Sequence, residues 1–126
     1  MAGRMAMPDV PIDESVLEGL RLLQRKGRPD IAKTVITLFL ESAPRALNDL
    51  QVGAANNDTR LLHYASHVLK SSSAAVGAVR LSARCKQLEE IARTGSAPDA
   101  GKQVQEILRL YGQTDSALRA WYAAQG

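Results

Sequence analysis

The chain has 126 residues, of which 45% are hydrophobic and 23% charged, and its formal net charge is +3. This composition predicts one globular domain. No apolar run is long enough for a membrane span, and a single cysteine excludes an internal disulfide. The basic residues have no aromatic residues among them to stack on bases, so we expect no nucleic-acid binding. With no secretory signal at its start, the chain is expected in the cytoplasm.

A lead of residues 1–11, which contains two prolines, is expected to be flexible and to precede five helical segments. The first helix is predicted to begin after the capping residue Asp13 and to stop at Gly27. Pro29 suits the start of a second helix. Pro44 lies inside that segment, and because the apolar stripe keeps its phase on both sides, we predict one kinked helix rather than two.

Short turns separate the three remaining segments. Residues 56–59 (NNDT) supply a turn and a cap, Gly77 ends the third helix, and residues 95–99 (GSAPD) form a loop before the last. No segment alternates polar and apolar residues as a strand does. The sequence therefore predicts an all-α fold, an antiparallel four-helix bundle with an additional short N-terminal covering helix, over residues 12–126.

The third helix carries a polar strip on its outer face. On a helical wheel the apolar residues gather near Leu69, and His67 lies roughly 160° away from it. Four residues fall within about 60° of His67 on this wheel: His63, Lys70, Ser71 and Ala74. An exposed neutral imidazole is a nucleophile near neutral pH, an ammonium one turn on can pair with an anion on the ring, and small neighbours admit another protein. This strip suits a histidine that carries a phosphoryl group, and a solvated face with two surface histidines is the alternative.

The segment HVLKSSSAAVGAVRLSARCKQLE, residues 67–89, resembles the signature of histidine-containing phosphotransfer (HPt) domains. That signature is His-x-Leu-Lys-Gly-Ser, then Gly-Ala, a Leu, a small or Cys position, and Leu-Glu. The matching residues are His67, Leu69, Lys70, Ser72, Gly77, Ala78, Leu81, Cys85, Leu88 and Glu89. The family commonly has glycine directly after the lysine, where this chain has Ser71, and this departure affects the fit of the partner rather than the phosphosite.

The resemblance implies a four-helix bundle whose His67 accepts a phosphoryl group from a receiver-domain aspartate and passes it to another receiver in a two-component phosphorelay. Such a domain is a phosphocarrier rather than an enzyme and has no cofactor or metal of its own, because the receiver supplies the Mg²⁺ and the aspartate. Its partners are receiver domains of response regulators or a hybrid histidine kinase, of which the chain could itself be a domain. We expect a monomer that does not insert into membranes.

The hairpin geometry suggests a partner for the histidine. In an antiparallel pair of helices centred on Gly77, His67 lies opposite residues 87–89. Glu89 could accept a hydrogen bond from one ring nitrogen, fix the tautomer and leave the other nitrogen free to attack. An ion pair of Glu89 with Arg93 is the alternative.

The remaining site predictions concern the groups around this pair. Lys70 is expected to stabilise the phosphoryl group, with Ser71 beside it. The docking surface for the partner is predicted to contain His63, Ala74, Gly77, Arg84 and Lys86.

Metal binding, thiol chemistry and other functions are less well supported by the sequence. His63 and His67 have the spacing of a helical metal pair, but Tyr64 replaces the glutamate of a metalloprotease motif and no third ligand is near, so no metal site is expected. Cys85 lies on the apolar stripe and is expected to be a buried thiol. A helical adaptor that binds receiver domains without phosphotransfer remains an alternative, as does a phosphatase of phosphorylated partners, for which Gln87 and Glu89 give thin support.

Overall fold

The computed structural model describes residues 10–125, and nearly all of the predicted flexible lead lies outside the described residues. Five helices follow one another: α1 (Glu14–Leu22), α2 (Ile31–Ala55), α3 (Thr59–Ala75), α4 (Val79–Arg93) and α5 (Ala100–Gln125). No strand occurs between residues 10 and 125. The prediction of an all-α fold is confirmed.

The four longer helices enclose one core. α2 packs against α3 and α5, and α4 packs against the same two helices, while α1 contacts α2. Leucines supply most of the largest fully buried side chains, including Leu50, Leu69, Leu88 and Leu118. The arrangement is the predicted four-helix bundle with an N-terminal covering helix. In the part of the chain that the structure describes, no helix combines the length and hydrophobicity needed to cross a bilayer.

Two helix boundaries differ from the predicted ones. The carboxylate of Asp13 caps α1 as expected, but α1 ends at Leu22 and Gly27 lies in the turn beyond it, with a φ of +77°. Pro29 does not begin α2, because Asp30 intervenes and its carboxylate accepts a hydrogen bond from the Lys33 amide at 3.0 Å. A carboxylate satisfies a free amide of the first turn, and this determines where the helix starts.

Pro44 lies within α2, which continues through it as one helix rather than two, as predicted; the kink at Pro44 stays a prediction. The helix accommodates the missing amide donor in a stretch where its other face is anchored in the core by Ala43, Ala46 and Leu47. Because α2 is one unbroken helix, it packs beside α3 along the length of α3.

The turn between α3 and α4 is closed from outside by the start of α1. Gly77 has a φ of +79°, and its carbonyl accepts a hydrogen bond from the Asp13 amide at 2.7 Å. A side chain at this glycine would place its Cβ 2.6 Å from the Asp13 carbonyl oxygen. The short first helix therefore fixes the end of the α3–α4 hairpin.

Two serines of α3 that the sequence analysis left unassigned take buried positions. Ser66 and Ser73 are fully buried, whereas Leu61 and Ser72 are half-buried. The Ser66 hydroxyl donates to the Leu62 carbonyl at 2.6 Å, so its burial leaves no unsatisfied donor. Small hydroxyl residues let α3 approach its neighbours closely while the opposite face stays in solvent.

Candidate functional site

His67 lies in the middle of α3 on the face opposite its buried leucines. Its side chain is 56% exposed, whereas Leu69, two residues further along, is fully buried. The exposure predicted for this histidine is therefore present. A ring in this position can be reached by another protein without any opening of the bundle.

Glu89 on α4 contacts both His67 and Lys70. Its Oε2 lies 2.6 Å from His67 Nδ1, and its Oε1 lies 2.7 Å from Lys70 Nζ. The carboxylate is largely covered, with 13% of the side chain exposed. The predicted hydrogen bond to the ring is present, and among the described residues there is no ion pair between Glu89 and Arg93, the alternative partner.

The charge of Glu89 determines which ring nitrogen carries the proton. The hydrogen bond from Lys70 is the largest cause that lowers the pKa of the Glu89 carboxyl below its usual value, and the bond to His67 lowers it further, against the effect of partial burial. A carboxylate can only accept, so in neutral His67 the Nδ1 nitrogen must donate and Nε2 keeps its lone pair. The described residues offer a hydrogen-bond partner to Nδ1 alone, which leaves Nε2 as the nitrogen with an unengaged lone pair.

The register of the α3–α4 hairpin brings these side chains together. Leu81, Cys85 and Leu88 are fully buried along the inner face of α4. On the flank toward α3, the Ser82 hydroxyl donates to the Lys70 carbonyl at 3.0 Å. Ser82 lies two turns before Glu89 on the same stripe of α4 and holds the helix beside Lys70. The sequence reasoning did not identify Ser82, although its seven-residue spacing from Glu89 was a usable signal.

The outer face around His67 is mixed in character. Ser71 and Ala74 are exposed on α3, His63 is half-buried one turn earlier, and Lys86 is exposed on α4. The sequence reasoning missed two apolar side chains of this face, Tyr64 and Val68, which are 64% and 38% exposed. Their signal was the position of large apolar residues on the solvent side of the wheel.

Two residues predicted for the docking surface lie elsewhere. Gly77 is buried beneath the start of α1 and presents no surface, because a positive-φ turn has to pack against Asp13 there. Arg84 lies about 140° around α4 from Glu89. It lines a groove against α5 together with Lys102, Glu106 and Arg109. The surface around His67 therefore excludes both.

Cys85 is a core thiol, as predicted. Its side chain is fully buried, and burial, followed by the charge of Glu89, raises its pKa to about 12. A thiol that stays protonated is neither a nucleophile nor a metal ligand. Among residues 10–125, no three side chains of His, Cys, Asp or Glu converge in a way that could hold a metal ion.

Comparison with known proteins gives consistent results. The family model described as "Hpt domain" matches residues 34–121. The chain is 28% identical over 102 residues to histidine-containing phosphotransfer protein 1 of Arabidopsis thaliana, a match that covers 79% of this chain and 66% of that protein. It is 28% identical over 92 residues to the phosphorelay protein LuxU of Vibrio harveyi, covering 73% of this chain and 81% of the relative.

A solved structure shares the fold. Histidine-containing phosphotransfer protein B (HptB) of Pseudomonas aeruginosa PAO1 superposes with a TM-score of 0.80 at 24% identity, over 90% of this chain and 95% of that one. At this identity the likeness concerns the fold alone. It agrees with four bundle helices preceded by a shorter one.

Proposed function

The chain belongs to the Hpt domain family, and we propose that it carries a phosphoryl group on Nε2 of His67 between aspartates of receiver domains in a two-component phosphorelay. In this role the chain acts as a phosphocarrier rather than as an enzyme. The proposal rests chiefly on one observation, the half-exposed His67 ring whose Nδ1 is hydrogen-bonded to Glu89 and whose Nε2 has no hydrogen-bond partner among the described residues.

The proposed step needs only the ring and an activated donor. The Nε2 lone pair attacks the phosphorus of an aspartyl phosphate, the N–P bond forms, and the P–O bond to the aspartate breaks with its electron pair left on the carboxylate oxygen. The Nδ1 proton stays on the ring, so no base has to remove a proton from the nucleophile. Transfer to a second receiver is the same step in reverse.

Lys70 and Ser71 are proposed to support the transferred group. The Lys70 ammonium lies one helical turn from His67 and neutralises negative charge on the phosphoryl oxygens. Ser71 is exposed next to it, and its hydroxyl is small enough to leave the surface open. Lys70 and Ser71 act on the phosphoryl group itself, whereas Glu89 acts on it only through the His67 ring.

The partners are proposed to be receiver domains, of response regulators or of a hybrid kinase, that dock on the face around His67. His63, Ala74 and Lys86 line this face together with the exposed apolar side chains Tyr64 and Val68. Apolar side chains within a polar rim are typical of protein contact surfaces. We propose that the chain works as a monomer, which leaves this face free for one partner at a time.

The proposal is tested by incubating the chain with phosphorylated receiver domains and following transfer of the label. A phosphohistidine is lost in acid and retained in alkali. We expect His67→Gln to abolish labelling while the helical circular dichroism is unchanged, and His63→Gln to reduce it mildly. Labelling that survives in His67→Gln but disappears in His63→Gln would assign the site to His63. Binding of receivers without any label on the chain would favour an adaptor.

A further inference from the structure

We propose that the junction between α1 and α2 is a second docking surface, which binds an acidic amphipathic segment of a partner protein while His67 stays free for a receiver. This surface, called the junction patch from here on, consists of the end of α1, the connecting loop and the start of α2: Leu22, Leu23, Arg25, Lys26, Arg28, Pro29, Ile31 and Thr34. Phosphoryl transfer at His67 makes no use of it.

The junction patch exposes two adjacent leucines beside a concave surface. Among residues 10–125, Leu22 is the most exposed large apolar side chain, at 84%, and Leu23 is 61% exposed. Next to Leu23 lies a cavity of about 530 Å³, whose apolar wall also includes Pro29 and Ile31. A bilayer surface is flat and does not fill a concavity, whereas the apolar side chains of a protein segment can enter it. The shape therefore favours a protein partner.

The junction patch is also strongly basic. Residues 18–34 contain five basic and two acidic side chains, so this short segment accounts for the whole formal net charge of +3. Arg25, Lys26 and Arg28 make no ion pair with any described residue. Complementary charge steers a partner and fixes its register. The partner segment is therefore acidic, and its apolar side chains meet the leucines and the cavity.

The two acidic side chains nearby are already engaged. Glu18 pairs with Arg21 at 3.2 Å. The Asp30 carboxylate accepts a hydrogen bond from the Lys33 amide at 3.0 Å and another from the Tyr122 hydroxyl at 3.1 Å. Neither carboxylate is placed to neutralise the loop cations, so these cations are available to a partner.

The side chain of Gln24 holds the loop in one shape. Its Nε2 donates to the Arg28 carbonyl at 2.9 Å, and its Oε1 accepts from the Ile31 amide at 2.9 Å. Between them Gly27 turns the chain with a φ of +77°, and the Arg28 amide donates to the Arg25 carbonyl at 3.0 Å. A surface that is ordered before binding loses less conformational freedom when the partner arrives. The loop thus presents its cations and leucines in a preformed arrangement.

The junction patch lies apart from the phosphotransfer site. No residue that lines its cavity belongs to α3 or α4, the helices that carry His67, Lys70 and Glu89. A partner segment on the patch therefore leaves the face around His67 open, and both surfaces can be occupied at once.

The test measures binding of a labelled synthetic peptide by fluorescence anisotropy at low salt. The peptide is a helix former in which leucines recur every three or four positions among glutamates. A second peptide has serine in place of each leucine, and a third has lysine in place of each glutamate. Vesicles of phosphatidylglycerol are assayed in parallel as an anionic membrane.

Two variants remove the apolar and the charged part of the junction patch, and each has a matched control. Leu23→Ser is compared with Val52→Ser, which removes a 41% exposed apolar side chain at the far end of α2. Arg25→Gln/Arg28→Gln is compared with Arg60→Gln/Arg93→Gln. Arg60 and Arg93 are also exposed and make no ion pair among the described residues.

We expect the acidic leucine peptide to bind wild type, and the serine and lysine peptides to bind at least ten-fold more weakly. Leu23→Ser should weaken binding about ten-fold, because a leucine side chain no longer leaves water. Arg25→Gln/Arg28→Gln should weaken it about five- to ten-fold, and more salt should have the same effect. Both control variants should bind as wild type does. Phosphoryl transfer from a receiver to His67 should proceed at the same rate with and without saturating peptide.

Equal losses in the patch variants and their controls would overturn the inference, because attraction would then be spread over the whole surface. Vesicle binding that is lost in Leu23→Ser, without any peptide binding, would assign the patch to a membrane and overturn it as well. A peptide that competes with the receiver would lie on the His67 face, with the same consequence. Failure of His67 to accept a phosphoryl group would overturn the proposed function and leave peptide binding at the junction patch untouched.

Discussion

Among single residues, Lys70 is the one whose partner should change during the cycle. In the structure its ammonium is bound to Glu89 and 30% of the side chain is exposed. An ammonium has three hydrogen-bond donors, so the bond to Glu89 leaves two for oxygens of a phosphoryl group on Nε2. The same side chain can therefore hold Glu89 in place beside the free ring and stabilise the charge on the phosphorylated one.

We predict that Lys70→Ala slows phosphoryl transfer much more than it weakens docking. A donor aimed at charge that develops during transfer contributes on the order of 2–4 kcal/mol when it resembles an oxyanion donor. A contact at an exposed rim contributes about 0–1 kcal/mol to binding. The two quantities are measured separately, as the rate of transfer within the bound complex and as the affinity for the receiver.

Lys86→Ala is the matched control for this prediction. Lys86 is an exposed lysine on α4, on the same outer face, and it makes no ion pair with Glu89 among the described residues. Its removal should change affinity slightly and leave the rate of transfer unaltered. If Lys70→Ala lost affinity and rate equally, Lys70 would serve docking only.

At the scale of helices, the α3–α4 hairpin shows what could be predicted from the sequence. The turn at Gly77 and the 3.6-residue period were enough to place Glu89 opposite His67, because a short connection leaves two antiparallel helices little freedom of register. The wheel could also have shown that Arg84 points away from Glu89. The burial of Gly77 could not be predicted, since it depends on α1 folding back over the turn and periodicity carries no information about that contact.

We predict that Gly77→Ala destabilises the fold by about 3 kcal/mol, and that Gly27→Ala costs only about 1–2 kcal/mol. Both glycines have positive φ, but a Cβ at Gly77 would lie 2.6 Å from the Asp13 carbonyl oxygen, whereas nothing lies within 4 Å of a Cβ at Gly27. The excess at Gly77 reflects displacement of the start of α1 from the hairpin. Urea unfolding of the two variants and wild type gives the free energies of unfolding, and equal losses would show that the α1 contact adds nothing.

At the scale of the whole molecule, the site borders directly on the core, because Glu89 and Cys85 lie only about 40° apart around α4. Glu89 contacts the outer groups of the site, and Cys85, one turn earlier, is fully buried on the inner face. The inner face could be predicted from the apolar stripe because one contiguous core imposes a single period on every helix. The burial of Ser66 and Ser73 could be predicted from their place on the wheel, within about 60° of Leu69, but not from their hydrophobicity.

The buried thiol of Cys85 gives the whole fold a predictable sensitivity to alkali. Its pKa is about 12 in the folded protein, against an ordinary value of 9.0. The raised pKa means that folding favours the neutral thiol, so this contribution is complete below pH 9 and is lost as the pH rises from there towards 12. Each pH unit in that interval removes about 1.4 kcal/mol from the free energy of unfolding.

We therefore predict that raising the pH from about 8 to about 10.5 lowers the free energy of unfolding of the wild-type protein by about 2 kcal/mol more than that of Cys85→Ala. Urea unfolding of each protein at both pH values gives the stability that it loses between them. Comparing these two losses cancels the packing cost of the substitution, which is the same at both pH values. Tyrosines and lysines that titrate in the same range affect both proteins alike. The same alkaline loss in wild type and Cys85→Ala would mean that the thiol reaches solvent without global unfolding, and the core between α3 and α4 would then be looser than its buried leucines indicate.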